Sequence, residues 1–545
     1  MNKRNCTVCL SAVMLGMFLE GCMTADDYRT ERAEYTVKHF EKAQLRELEQ
    51  GKVYNLTDCI RIALEHNLDL KVFQLEEAVA RENRTAEMLG MLPELNFNNT
   101  LTDRDNTPGS SSRKIKDDGM TYGASTSQDR TINYFNVDLA LSVLDFGLAW
   151  FNTQQANDRH LMREYYTERA AQNLTLDVVR AYFQVAAAQR SIRITTDLLE
   201  QCRHRYDLIE KLADAQIITP FRAYDETRRF VEMEKRLTNY VRSYENACVE
   251  LRSLLGYYPN ANIKVDDALL EKLPEIELPE ITTMEQIAML QRPELYESDI
   301  NKHINVIECR KTILMMFPNV RIFLDFTNSN NSFLYHQSWW EIGIRAAYNL
   351  LKTPQMIYRY RAYSAQVDSQ EMHTYAKAIG IMAQVRMAHA NILESKERFE
   401  INERVYRIYN RNLNNSLRNQ KVTGALSQLE LDHIRLATAE TEVDSIFARS
   451  NYYIAYYRML NVLGVRNLGA EEVTSLKAEI DAARIRAEKE LAEQKEEALR
   501  EAEKINLQTE AAQAELERES EAAELIAPEE NPAEAAPAVP VPAEP

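Results

Sequence analysis

The sequence predicts a mainly α-helical fold joined to a membrane β-barrel. Three observations predict it: glycine and proline are scarce, the chain repeats itself, and each repeat pairs two alternating strands with a very long unbroken helix. The chain has 545 residues with 14 Gly and 15 Pro, which favours long helices over a sandwich or an α/β enzyme. Asn67-Leu68-Asp69-Leu70 recurs as Arg292-Pro293-Glu294-Leu295, 225 positions later. Met91-Leu92-Pro93 recurs as Met316-Phe317-Pro318 at the same offset, and Leu254-Leu255-Gly256 as Val462-Leu463-Gly464 at 208. One longer loop in the first repeat, the polar stretch from Asp103 to Arg130, explains the shrinking offset.

The elements run in the same order in each repeat. A helix comes first, Asp58 to Met88 and then Met284 to Met315, and Pro93 or Pro318 stops it, because proline cannot continue a helix. A strand follows, near 94–103 and 319–328, with Leu95, Phe97 and Leu101 on one face and Val320, Ile322, Leu324 and Phe326 as their counterparts. A second strand is expected near 131–144 and 338–349, in which Phe135, Val137, Leu139, Leu141 and Val143 alternate with polar residues, as do Trp340, Ile342, Ile344, Ala346 and Tyr348. Apolar-out, polar-in alternation over about nine residues is the pattern of a membrane barrel strand. A half-buried strand in a soluble sheet has the same period.

The next element is less ambiguous. From Trp150 to Asp214 there is no glycine or proline, room for a helix of roughly 97 Å at 1.5 Å per residue. Gln355 to Arg418 is its counterpart. Leu174, Val178, Ala181, Val185, Ala188 and Ile192 fall at alternating spacings of four and three, as do Ile381, Val385, Ala388, Ile392 and Phe399. That is a coiled-coil seam. Each long helix turns and returns, over Phe221 to Leu255 and Leu426 to Leu463. Four strands cannot close a barrel, and a bilayer does not tolerate open edges. Three copies in a cyclic homotrimer would supply about 12 strands, more than the eight or so of the smallest membrane barrels.

The ends of the chain read differently. Residues 1–21 look like a signal peptide: Lys3 and Arg4, then an apolar run too short to span a bilayer. It ends in Leu19-Glu20-Gly21-Cys22, similar to a bacterial lipobox, so Cys22 is the expected lipid attachment; Glu20 departs from the usual residue there. The remaining expected divisions are an anchor segment at 22–55, the first repeat at 56–256, a linker at 257–282, the second repeat at 283–464, an acidic helix at 465–526 and an Ala/Pro-rich tail at 527–545. Of the net charge of −18, about −13 lies after Ala470. An acidic chain argues against nucleic-acid binding. Cys59, Cys202, Cys248 and Cys309 have no metal spacing and read as core-filling residues. No catalytic motif or cofactor signature is present, so no enzyme activity and no cofactor are expected.

Leu56-Thr57 leading into Ile62-Ala63-Leu64-Glu65-His66-Asn67, Arg292-Pro293-Glu294-Leu295, Val143-Leu144-Asp145-Phe146-Gly147 and Thr423-Gly424-Ala425-Leu426-Ser427 resemble the TolC-like outer-membrane efflux proteins, including their lipoprotein branch. The resemblance runs from about Leu56 to Gly464. It implies a trimeric channel of a tripartite efflux or type I secretion system, whose helical hairpins form a periplasmic α-barrel. Such a duct takes small molecules from an inner-membrane transporter through a periplasmic adaptor, the membrane fusion protein. The resemblance places adaptor contacts at the hairpin turns: Gly424, Ala425, Leu426 and Ser427 in the second, and Ile218 and Thr219 in the first, where Gln216 replaces the usual glycine. It also implies carboxylates at the pore entrance, here Glu430 with Asp432 close by. Three copies would attract cations, although Glu430 on a merely solvated helix face fits the same sequence. A lipid-anchored periplasmic coiled-coil scaffold without a pore remains the alternative. Trp339-Trp340, Tyr335 and Tyr348 fit an interfacial aromatic girdle, and Tyr452, Tyr453, Tyr456 and Tyr457 fit coil packing.

Overall fold

Asparagine, arginine and proline set where the first helices break. In the computed structural model, which describes residues 24–45, 51–111, 123–258, 263–271, 276, 278–423, 428–466 and 470–524, each expected opening helix is two helices. After α1 (Ala25–Gln44), capped by Thr24 with Asp27, and the short β1 (Val53–Tyr54) come α2 (Leu56–His66) and α3 (Leu68–Leu89). They part at Asn67, whose backbone is extended at φ −61° and ψ 129° and whose side chain accepts from the Leu70 amide. In the second repeat α6 (Ile281–Gln291) and α7 (Pro293–Leu314) part at Arg292. Pro293 pushes its predecessor out of the helical region, and Arg292 has ψ 119°.

The repeat reaches down to single hydrogen bonds. Asn67 Nδ2 donates to the Leu254 carbonyl at 3.0 Å, and Arg292 Nη1 donates to the Val462 carbonyl at 3.1 Å. Donors and acceptors are both repeat equivalents, so the break residue of each repeat ties down the end of that repeat's return helix. Those return helices, α5 (Pro220–Leu254) and α9 (Gln428–Leu463), are followed by Gly256 and Gly464 at φ +74° and +73°. Glycine adopts this left-handed turn without a Cβ penalty. At Gly464 a Cβ would also lie 2.9 Å from the Gln291 carbonyl oxygen.

Between these landmarks lie β2 (Glu94–Asp103), β3 (Thr131–Ser142) and α4 (Val143–Asp214). Their counterparts are β5 (Asn319–Ser329), β6 (Ser338–Ala347) and α8 (Thr353–Thr423). Val143 and Tyr348, expected in strands, lie outside them: Ser142 caps a helix through the Asp145 amide at 3.2 Å, and β6 ends at Ala347. The four strands form one antiparallel sheet in the order β2-β3-β5-β6. Its register gathers the alternating residues. Leu95 pairs with Leu139, Leu139 with Leu324 and Leu324 with Ile342; Phe97, Val137, Phe326 and Trp340 form the next row.

The helices carry the core. α2 and α3 lie along α4, α6 and α7 along α8, and α9 packs on both α8 and α4. Leu174, Val178, Ala181, Val185 and Ala188 are buried, as are Ile381, Val385, Ala388, Ile392 and Phe399; Ile192 is half-buried. Phe183 stacks on Tyr453 with centroids 4.8 Å apart. A second two-stranded pair, β1 with β4 (Lys264–Val265), is parallel and is held to α4 by Gln189, which bonds the Val265 amide and carbonyl. Cys59, Cys202 and Cys248 are buried, and burial pushes the Cys59 thiol up to about 12 and Cys202 to about 11, so both stay protonated and unreactive. Residues 469–545 form a separate unit. Its helix α10 (Ala470–Glu524) carries ion pairs one turn apart, such as Arg500–Glu496 at 2.7 Å. Among the described residues no helix is long and apolar enough to cross a membrane.

Candidate functional site

The first hairpin turn is built around a strained residue. Gln216 has φ +54°, and it is the one non-glycine residue with positive φ among those described. Thr219 then caps α5 with an extended backbone, and Pro220 opens the helix, where its missing N–H costs nothing. Thr219 is exposed and Ile218 half-buried, packed on a cluster of Cys202, Ile209, Phe230 and Leu436. Beside them Ile217, Phe221 and Tyr224 stand out in solvent, Phe221 at 83% exposure. None of these three is among the expected adaptor contacts; their signal in the sequence is apolar side chains flanking a turn in an otherwise polar stretch. Gly424, Ala425, Leu426 and Ser427 of the second turn lie outside the described residues, as do Cys22 and its lipobox.

The two expected entrance carboxylates part company. Glu430 is exposed. Asp432 is 5% exposed. Its carboxylate is 2.7 Å from Arg205 Nη2 on α4 and 3.6 Å from Arg435, and it accepts from Gln428 at 3.2 Å. Residues two apart on a helix point about 200° apart, so these two face different surroundings. Asp432 joins a ladder that holds α9 against the first hairpin. His433 Nε2 is 2.6 Å from Glu226 and its ring stacks on Phe230 at 4.9 Å. Arg236 pairs with Glu440, and Tyr240 donates to Asp444 at 3.3 Å. Burial and the neighbouring Glu440 charge hold the Asp444 carboxyl above its usual range.

The sheet supplies a second surface. Its apolar face is open: Leu95, Phe97, Leu101, Ile342 and Ile344 are exposed, and Trp340 is 70% exposed. Trp339 lies on the opposite, polar face, so the expected aromatic pair is split. No residue of β2 is buried on either face, because one chain gives it a partner on one side alone. Two helices also carry uncovered apolar stripes. On α3 the stripe is Leu68, Val72, Leu75 and Val79; on α8 it runs through Met372, Ile379, Leu393, Ile401 and Ile408. Among the described residues no group of three or more His, Cys, Asp or Glu could hold a metal ion.

Residues 59–257 match the outer membrane efflux protein family. No curated protein sequence matches the chain. Among solved structures, a membrane protein from Pseudomonas aeruginosa is similar at 17% identity and TM-score 0.59, over 75% of this chain and 92% of that one. The open state of the MtrE outer membrane channel of Neisseria gonorrhoeae is similar at 16% identity and TM-score 0.59, over 75% and 89%. The CmeC outer membrane channel of Campylobacter jejuni is similar at 13% identity and TM-score 0.56, over 80% and 94%. Identities this low speak for the fold: long helical hairpins joined to a small antiparallel sheet.

Proposed function

The first repeat of this chain belongs to the outer membrane efflux protein family and the second repeat shares its fold, and from that premise we propose a non-enzymatic outer-membrane duct completed as a homotrimer. It passes small molecules from an inner-membrane transporter, through a periplasmic adaptor, to the outside. One observation carries the reading: a four-stranded sheet with a continuous open apolar face and, among the described residues, unpaired edges on β2 and β6. In water that face would be an aggregation hazard. In a bilayer it faces lipid, and its edges must then be closed by other copies.

The apolar stripes on α3 and α8 support the same assembly. They are different surfaces from different repeats, so a copy joined through them makes a head-to-tail contact, the type that forms a ring when its rotation closes. The exposed turn residues Ile217, Phe221 and Tyr224, with Ile218 and Thr219 between them and Gly424 to Ser427 in the second turn, suit docking of the adaptor. Glu430 lines the entrance as a ring of three carboxylates, and the Arg205–Asp432 pair fixes the first turn of α9 that presents it. Cys22 carries lipid that anchors the duct in the outer membrane.

Outer-membrane fractions tested in detergent distinguish the duct from a pore-free scaffold. A duct stays in the membrane after the anchor is cleaved and is extracted as a trimer, whereas a scaffold is released. Single-channel recording tests the entrance. Block by hexamminecobalt should weaken in Glu430→Ala, and unchanged block would remove Glu430 from the pore.

A further inference from the structure

We infer that the polar face of the sheet carries a second charge filter, selecting cationic solutes, at Asp325 and Glu341; it rests on the duct reading and is separate from Glu430. The register places Asp138 directly opposite Asp325, and Asp325 directly opposite Glu341. Three acids therefore stand side by side across β3, β5 and β6. Like charges directly opposite on adjacent strands destabilise a sheet. A face that needed only to be wet would use amides and hydroxyls. Three of the four strands do so in the neighbouring row, with Asn98, Asn136 and Thr327 before Trp339 on β6, and a 3.2 Å bond joins Asn136 to Thr327. The acidic row thus has a cost that strand pairing does not explain.

Its charges are only partly cancelled. Arg321 binds Asp138 at 2.6 Å. Asp325 keeps one oxygen, Oδ1, that is buried yet accepts no hydrogen bond, and it borders a cavity of about 160 Å³ together with Asp138, Arg321 and Arg345. Four residues toward the helical end of β5, Arg321 lies opposite Arg345; their backbones are about 13 Å from the acidic row at 3.3 Å per residue, a gap that the Arg321 side chain spans to reach Asp138. Between the two levels the Phe323 ring lies over Gly343, where a Cβ would meet it at 2.3 Å, and the Arg345 guanidinium stands over that ring at 5.5 Å. Both arginines border the cavity that Asp138 and Asp325 line, so at the acidic level the three acids Asp138, Asp325 and Glu341 stand against two arginines, and the net charge there is negative. Repeated around a closed barrel, this level forms a charged ring of the kind that sets ion selectivity, and low-dielectric walls strengthen its field.

The test is the reversal potential of the reconstituted full-length protein in a planar bilayer under a potassium chloride gradient. Wild type should favour potassium. Asp325→Asn with Glu341→Gln should lower the potassium-to-chloride ratio several-fold, and Glu341→Lys should lower it further than Glu341→Gln does. Both amides are close in shape to the acids and remove repulsion, so the detergent-solubilised variant should melt no lower than wild type. A conducting pore whose ratio is the same in wild type and the amide variant overturns the filter and leaves the duct standing. A protein that never conducts overturns both. An effect of the amide pair that vanishes once Glu430→Ala is present also overturns the filter, because separate filters act independently.

Discussion

Gln216 occupies a backbone region that L-residues avoid, at φ +54°, which costs of the order of 1 kcal/mol. Gln216→Gly should therefore raise stability by about 0.5–1 kcal/mol, the relief being partly offset by glycine's larger unfolded-state entropy; thermal melting of the detergent-solubilised protein checks it, and a lower melting temperature would contradict it. Arg292 is the opposite case. It is 4% exposed, binds Glu294 at 2.7 Å and reaches the Val462 carbonyl and Gln384, while Arg169 holds the same Glu294 at 2.7 Å. Burial alone would raise the Glu294 carboxyl, but the Arg292 hydrogen bond and the two arginine charges outweigh it and hold it below the usual range. Arg292→Ala should cost about 3 kcal/mol, as breaking a buried pair does, measured by denaturant unfolding. Asp444 gives a dependence on pH. Burial raises it from an ordinary 3.8, so folding favours its protonated form, and its contribution to stability is lost as pH rises through the raised value. Asp444→Asn keeps an acceptor for Tyr240. It should melt at or above wild type at neutral pH, with the gap closing below pH 3.8; a constant gap would exclude Asp444 as its source.

At the level of elements, the strands were legible because alternation is a local pattern. Leu95, Leu139, Leu324 and Ile342 were placed on apolar faces by spacing alone, and strand pairing sets them in one row. The helical seams were legible for the same reason. The breaks at Asn67 and Arg292 were not, because apolar periodicity runs on through them from Ile62 to Leu70; the signal lay in an asparagine able to cap and in the Arg-Pro step. Val143 was assigned to a strand because alternation cannot register the Ser142 cap. Asp432 was grouped with Glu430 by nearness in sequence, whereas helical geometry puts the two on different faces and Arg205, far away in the chain, neutralises it. The exposure of Ile217, Phe221 and Tyr224 is not legible in the sequence, because exposure is a tertiary property. The two faces of the sheet should also respond differently to charge. Leu324→Lys, on the apolar face, should cost about 2–4 kcal/mol if that face meets lipid, and reduce the yield in outer-membrane fractions. Asn98→Lys, on the polar face, should be tolerated; equal losses would refute the assignment of faces.

For the whole molecule, the described residues of a single chain leave two sheet edges, an apolar sheet face and two apolar helix stripes uncovered; in the proposed duct, further copies would close the edges and stripes and lipid would cover the face. The acidic segment is a separate unit, and deleting residues 465–545 should leave trimers intact in detergent; monomers would show that the segment joins the copies. Closure also implies a continuous path. Conductance of the purified, reconstituted protein across a planar bilayer tests that most directly. Discrete current steps, carried by the trimeric fraction and absent from the monomeric one, are the predicted result. A membrane that stays silent with trimers inserted would contradict the duct.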